Sequence, residues 1–201
     1  MPYRLVIFDM DGTLTEELLD FDAIRRDIGL PKDGGILEHL SHMTGETLAR
    51  AHRILDDHEL AAAHSCVLHD GAIDVLARLK SLGIATALLT RNSRRCAQTV
   101  ISRHRLQLDH IATREDLPHK PHPDSILNIV RALAVDPTQT LMVGDYLYDL
   151  QAAHAARVDA ALLLVRDGGK VPPYASLARY CVRSLREIAD IVRSDTTPPA
   201  R

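Results

Sequence analysis

The chain has no tryptophan and only two phenylalanines, Phe8 and Phe21, among its 201 residues. Without aromatic platforms, base stacking is a poor candidate for a binding mode. Its 24 Lys and Arg residues are scattered and outweighed by 27 acids, for a net charge of −3 with His neutral. No basic stripe marks a nucleic-acid surface. Cys66, Cys96 and Cys181 are odd in number and lack CxxC spacing, which argues against a disulfide framework and a zinc site. They read as reduced, partly buried thiols. No apolar run approaches the ~18 residues of a membrane span. Met1-Pro2-Tyr3-Arg4 leads into an apolar stretch too short for a signal peptide. A cytoplasmic protein is expected. Hydrophobic residues, at 46%, suffice for one core, with or without a small insert.

Four apolar runs stand out: Leu5 to Phe8, Ile84 to Leu89, Leu141 to Val143 and Ala161 to Val165. Consecutive apolar residues without alternation suit strands covered on both faces. His110 to Ala112 and Tyr180 to Val182 are short candidates for edge strands. Helical patterns lie between them: Ile73 to Lys80 with a stop at Gly83, Ile126 to Leu133 with Pro123 in the first turn, and Leu185 to Val192. Strands alternating with helices predict an α/β fold, a Rossmann-like parallel sheet of βαβ units. Residues 16–68 break the alternation. They show only helical patterns, at Phe21 to Ile28, Ile36 to His42 and Glu46 to about Cys66, punctuated by Leu30-Pro31 and Asp33-Gly34-Gly35. The expected division is a core of 1–15 and 69–195 with a small helical insert, 16–68, after the first strand. The Thr-Thr-Pro-Pro tail beyond Asp195 is expected to fray.

Chemistry-bearing residues cluster just after the strand candidates, where open α/β sheets bind ligands. Asp9-Met10-Asp11-Gly12-Thr13 follows the first run. Two acids at i and i+2 can face one side of extended backbone, at a cost unless a cation lies between them. Asp and Gly also make ordinary turns. Thr90 ends the second run before Arg91-Asn92-Ser93. It could bind a phosphate oxygen, or the segment could simply cap the next helix. Gly144-Asp145-Tyr146-Leu147-Tyr148-Asp149 follows the third run. Asp145 and Asp149, one helical turn apart, suit a hard cation, or else an N-cap and a surface acid. Pro121 and Pro123 stiffen the loop around Lys120, whose ammonium could offset a carboxylate and a phosphate, or be solvated. His119 and His122 lack nearby ligands that would make a metal site of them.

The order Asp-x-Asp-Gly-Thr, Thr, Lys-Pro, Gly-Asp-x-x-x-Asp resembles the haloacid dehalogenase superfamily, in particular its phosphoglycolate-phosphatase-like phosphohydrolases. The resemblance spans about Tyr3 to Val192 and makes the insert similar to that family's helical cap, in shorter form. It implies Asp9 as nucleophile and Asp11 as acid and base. Thr90 and Lys120 would handle phosphate, with Arg91 a further contact. Mg²⁺ would bind Asp9, the Asp11 carbonyl and Asp145, with Asp149 supporting. Tyr146 departs from the small Ser or Thr common after that aspartate, and Arg91 stands where Asn or Ser is more usual. The implied activity is hydrolysis of a small phosphorylated metabolite through an aspartyl-phosphate. The acid pairs weigh against dehalogenation and the short insert against a mutase or other phosphotransferase. The presence of Asp9, Asp11 and Lys120 weighs against an inactive binding module. The leaving group is not readable, although Glu16, Arg25, Arg26, His42 and Arg50 are candidates to touch it.

Overall fold

A computed structural model of the chain describes residues 3–17 and 19–194. Leu5–Phe8 forms β1, all four side chains buried, as expected for a run with no polar face to expose. Around it lie β2 (Ala85–Leu89), β3 (His110–Ala112), β4 (Thr140–Gly144), β5 (Asp159–Leu163) and β6 (Tyr180–Val182), in a six-stranded sheet of order β3-β2-β1-β4-β5-β6. Every pairing is parallel. Phe8 lies level with Leu88 on one side and Val143 on the other, so the loops after β1, β2 and β4 leave the same edge side by side.

Period-two alternation divides the strands between two cores. Val6, Phe8, Leu88, Leu141 and Val143 face one layer. It is completed by α4 (Ala72–Ser81), α5 (Arg94–His104) and α8 (Arg186–Ser194). Leu5, Ile7, Ala87, Leu89 and Met142 face the other, with α6 (Asp124–Ala132) and α7 (Leu147–Ala156). The helical expectations hold with small shifts: Pro123 is the N-cap of α6, not a residue of its first turn, and Gly83 follows the α4 C-cap at φ 70°.

Strand β5 starts two residues earlier than the apolar run and ends at Leu163. The apolar run reports burial, not pairing. Asp159 can open the strand because its carboxylate accepts from Tyr3 Oη and Arg179 Nη1, both at 2.6 Å. Leu164 is buried without belonging to the strand.

Between β1 and α4 the chain forms α1 (Phe21–Ile28), α2 (Ile36–Leu40) and α3 (Gly45–Ser65). Ile24, Ile36, Leu37, Leu40, Ala51 and Leu55 give these helices an apolar cluster of their own. The two connections to the sheet run together: Glu16 N–H donates to Val67 at 2.9 Å and His69 N–H to Leu14 at 3.0 Å. The far end of α3 is less separate, since Ala63 and Cys66 pack in the first core layer. The insert after β1 is therefore helical, apart from one bridge between Thr15 and Leu68 at its root. The tail beyond Asp195 lies outside the described residues. Among those described, no helix is long and apolar enough to cross a membrane.

Candidate active site

A cavity of about 520 Å³ lies between the carboxyl edge of the sheet and the insert, lined by Asp9, Asp11, Thr90, Lys120, Asp145 and Asp149 among others. Lys120 is at its centre of charge. Its ammonium, 2% exposed, donates to Asp9 Oδ1 at 2.5 Å and to Asp149 Oδ1 at 2.7 Å. One oxygen each from Asp9, Asp145 and Asp149 can lie within 4.8 Å of the others. Among the described residues this is the one metal-competent cluster, and His119 and His122 take no part in it.

Two glycines make room for these acids. A Cβ on Gly144 would overlap the Asp149 carboxyl, and one on Gly12, at φ 78°, would overlap that of Asp145. Asp149 also accepts from the Tyr146 N–H at 3.1 Å, which closes the first turn of α7. Asp145 accepts from Thr13 Oγ1 at 3.2 Å and from Arg166 Nε. Asn92 Nδ2 donates to Asp11 Oδ2 at 2.7 Å, and Asn92 N–H donates to the buried Thr90 hydroxyl at 3.1 Å. Ser93 caps α5. Thr90 thus reaches the cavity while the helix-capping alternative also holds, at a different residue.

Burial drives the electrostatics. It raises Asp9 to about 7 against the attraction of Lys120, with Asp149 and Asp145 adding repulsion. Burial, then Asp9 and Glu59, raise Asp11 to about 7. Burial and Asp149 raise Asp145 to about 6. Burial works against the Lys120 ammonium, but Asp149 and Asp9 outweigh it and hold its pKa above the ordinary value. The donor set is all oxygen, buried and crowded with like charge, and so it fits a hard divalent cation.

Arg91, expected from the resemblance as a further phosphate contact, and two residues overlooked in the sequence, Arg166 and Glu59, complete the lining of the site. Arg91 is on the cavity wall, with Nη2 held by both oxygens of Glu38 in α2 at 2.7 and 2.8 Å and its guanidinium over the Tyr148 ring. Arg166 grips Glu17 as well as Asp145 and lies over Tyr146. The rule that singles out Asp9, Thr90 and Asp145 would have found Arg166 too, as the first polar residue after the fourth apolar run. Glu59 of α3 is buried against Arg114 Nη1 at 2.5 Å and the Ser93 N–H at 2.9 Å. All these ion pairs between insert and core have arginine on the core side. Of the five insert residues suggested as leaving-group contacts, Arg25 alone lines the cavity.

The sequence model of the haloacid dehalogenase-like hydrolases matches residues 3–157. The chain belongs to this hydrolase family. An uncharacterized hydrolase of Saccharomyces cerevisiae is 30% identical to it over 199 residues, covering 95% of this chain and 91% of the yeast protein. A phosphoglycolate phosphatase of Pseudomonas putida is 30% identical over 184 residues, covering 77% and 67%. The crystal structure of a hydrolase from Pseudomonas syringae superposes with a TM-score of 0.79 at 18% identity, covering 96% and 99%. The acidic cluster of this hydrolase thus occupies a family fold in which helices are inserted after β1.

Proposed function

We propose that this hydrolase is a Mg²⁺-dependent phosphatase that cleaves a small phosphate monoester through an aspartyl-phosphate on Asp9. The observation that carries the reading is the Lys120 ammonium bridging Asp9 and Asp149 at the carboxyl edge of the sheet. A carboxylate held there by a fixed cation can face a phosphoryl group without meeting unopposed like charge. Held by Asp9, the Asp11 carbonyl and Asp145, with Asp149 in support, Mg²⁺ would supply the remaining positive charge for anion to meet anion.

The chain's own groups perform the rest. The Asp9 oxygen attacks phosphorus, the ester P–O bond breaks, and Asp11 gives its proton to the departing alkoxide oxygen. Asp11 then takes a proton from water, whose oxygen displaces Asp9 and releases inorganic phosphate. Asn92 fixes one Asp11 oxygen at 2.7 Å and leaves the other for this exchange. Thr90 and Lys120 orient the phosphoryl oxygens, and Arg91 stands at the rim with them. In this reading residues 16–68 form a cap that selects the leaving group and excludes water, and 1–15 with 69–195 form the phosphoryl-transfer core.

Asp9→Asn tests it. The variant should keep the parent's circular dichroism and release no phosphate from an aryl phosphate in the presence of Mg²⁺. Turnover within about tenfold of the parent would remove Asp9 from the nucleophile's role, since covalent catalysis depends on that carboxylate.

A further inference from the structure

Among the described residues, three arginines tie the insert to the core by ion pairs, and one of them also holds a carboxylate of the acidic cluster. Arg91 pairs with Glu38 and donates to the Lys120 carbonyl at 3.0 Å. Arg114 pairs with Asp56 and Glu59, both of α3. Arg166, just beyond β5, divides its guanidinium between the two sides. Its Nη1 donates to both oxygens of Glu17, at 2.8 and 2.7 Å, and its Nε donates to Asp145 Oδ2.

Asp145 has little freedom to leave this arrangement. Its side chain is fully buried, and Thr13 Oγ1 donates to its other oxygen at 3.2 Å. The Gly12 backbone passes so close that a Cβ there would overlap its carboxyl. Arg166 is braced as well. Its guanidinium lies 5.0 Å from the centre of the Tyr146 ring, which meets Tyr148 and Tyr174 edge-on at 5.6 and 6.0 Å. Glu17 is half-buried, in the connection from β1 to α1, next to the Glu16 N–H that donates to Val67 at the root of the insert.

A guanidinium on a buried carboxylate stabilises it, but a second cation at the same carboxylate meets like charge. Glu17 moderates that conflict. Its charge offsets the guanidinium from the far side, and the more closely Glu17 holds Arg166, the less Arg166 opposes a cation at Asp145. The relation is reciprocal. Once the Asp145 charge is shared with a cation, Arg166 is left to Glu17, and the root of the insert is fastened to the core.

We propose that Arg166 is a positioning residue shared between Asp145 and Glu17, so that Mg²⁺ binding at Asp145 and the seating of the insert through Glu17 favour each other. The inference rests on the Mg²⁺ site of the phosphatase reading and adds that site's connection to the insert.

The test is Mg²⁺ affinity, measured by calorimetry without substrate in the parent, Arg166→Gln, Glu17→Gln and the double variant. Arg166→Gln keeps an N–H donor for Asp145 and removes the opposing charge, so it should bind Mg²⁺ about tenfold or more tightly. Glu17→Gln leaves the guanidinium charge unmoderated and should bind severalfold more weakly, the scale of a partly exposed ion pair. In the Arg166→Gln background the Glu17 change should have almost no effect, because its influence passes through the guanidinium. A purely structural Arg166 predicts weaker binding in both single variants instead. Hydrogen exchange reads the other end: saturating Mg²⁺ should slow exchange of the Glu16 amide in the parent and leave it unchanged in Glu17→Gln. If Arg166→Gln does not fold, the Glu17→Gln affinity and this exchange decide. An Arg166→Gln affinity at or below the parent's overturns the inference, as does a Glu17→Gln effect undiminished in the double variant. So does parent exchange indifferent to Mg²⁺, or a parent that binds none. Affinities that shift as stated, with no phosphate release from an aryl phosphate by the parent, would uphold this coupling and defeat the phosphatase reading. Unshifted affinities in a parent that releases phosphate would do the reverse.

Discussion

Glu59 is the insert residue most firmly committed to the core, and its removal should be felt as lost stability. It is 2% exposed and accepts from Arg114 Nη1 at 2.5 Å and from the Ser93 N–H at 2.9 Å, at the N-terminus of α5. In Glu59→Ala the Arg114 guanidinium, 10% exposed, keeps only Asp56, which is half exposed, and the Ser93 N–H loses its acceptor. Breaking one side of a buried pair costs about 3–5 kcal/mol. For a chain of this size that is about 2–4 °C in Tm per kcal/mol, a fall of roughly 6–20 °C. Glu59→Gln keeps an acceptor for Ser93 and should lose about 1–3 kcal/mol. Burial nevertheless pushes the Glu59 carboxyl up against the pull of Arg114 and the Ser93 N–H, so the charge is held at a cost. Replacing both partners, with Glu59→Leu and Arg114→Met, should therefore recover most of the loss. The assay is urea denaturation of the four proteins, with a double-mutant cycle through Arg114→Ala. A Glu59→Ala loss below about 1 kcal/mol, or a coupling energy near zero, would refute the claim that this pair fixes α3 to α5.

Metal-free protein should lose stability between about pH 4 and 7, because the unfolded chain releases protons there that Asp9, Asp11 and Asp145 retain. Their folded values lie above the ordinary ones, so their contribution is fully present below the unfolded pKa and disappears as pH rises through about 6 to 7. Mg²⁺ should consequently raise Tm more at about pH 8 than at about pH 5, and a chelator should abolish phosphate release. An equal Mg²⁺ increment at both pH values, or full activity after exhaustive chelation, contradicts the site. Gly144→Ala should displace the Asp149 carboxyl from Lys120 and weaken Mg²⁺ binding in calorimetry by about tenfold or more, as loss of a supporting ligand does. Unchanged affinity would show that Asp149 does not support the ion.

The strands were legible because of how a parallel sheet is covered. Helices on both faces leave its central strands no polar face, so Leu5 to Phe8 reads as an unbroken apolar run and matches β1 residue for residue. The next polar residue marks the carboxyl edge, which is why Asp9, Thr90 and Asp145 could be named from sequence and line one cavity in space. Helix signals were equally local: Phe21 to Ile28 was read with both its ends. The ends of β5 were not legible, because Asp159 pairs with Leu141 of β4 and its carboxylate is satisfied by Tyr3 and Arg179, all contacts outside the local run.

What the sequence determined by itself is the set of elements and the chemistry offered at each strand end, because both depend on residues within a few positions of one another. Tertiary structure alone decided the partners. Arg91 and Glu38 are separated by 53 positions and Arg114 and Glu59 by 55, and nothing local in the chain pairs them. Tyr146 and Tyr148 are two positions apart in sequence, and folding sets their rings edge to face, 5.6 Å apart, with an arginine over each. Propensity and periodicity act along the chain, whereas charge pairing and burial act across space, through contacts that exist only once the insert has closed on the sheet.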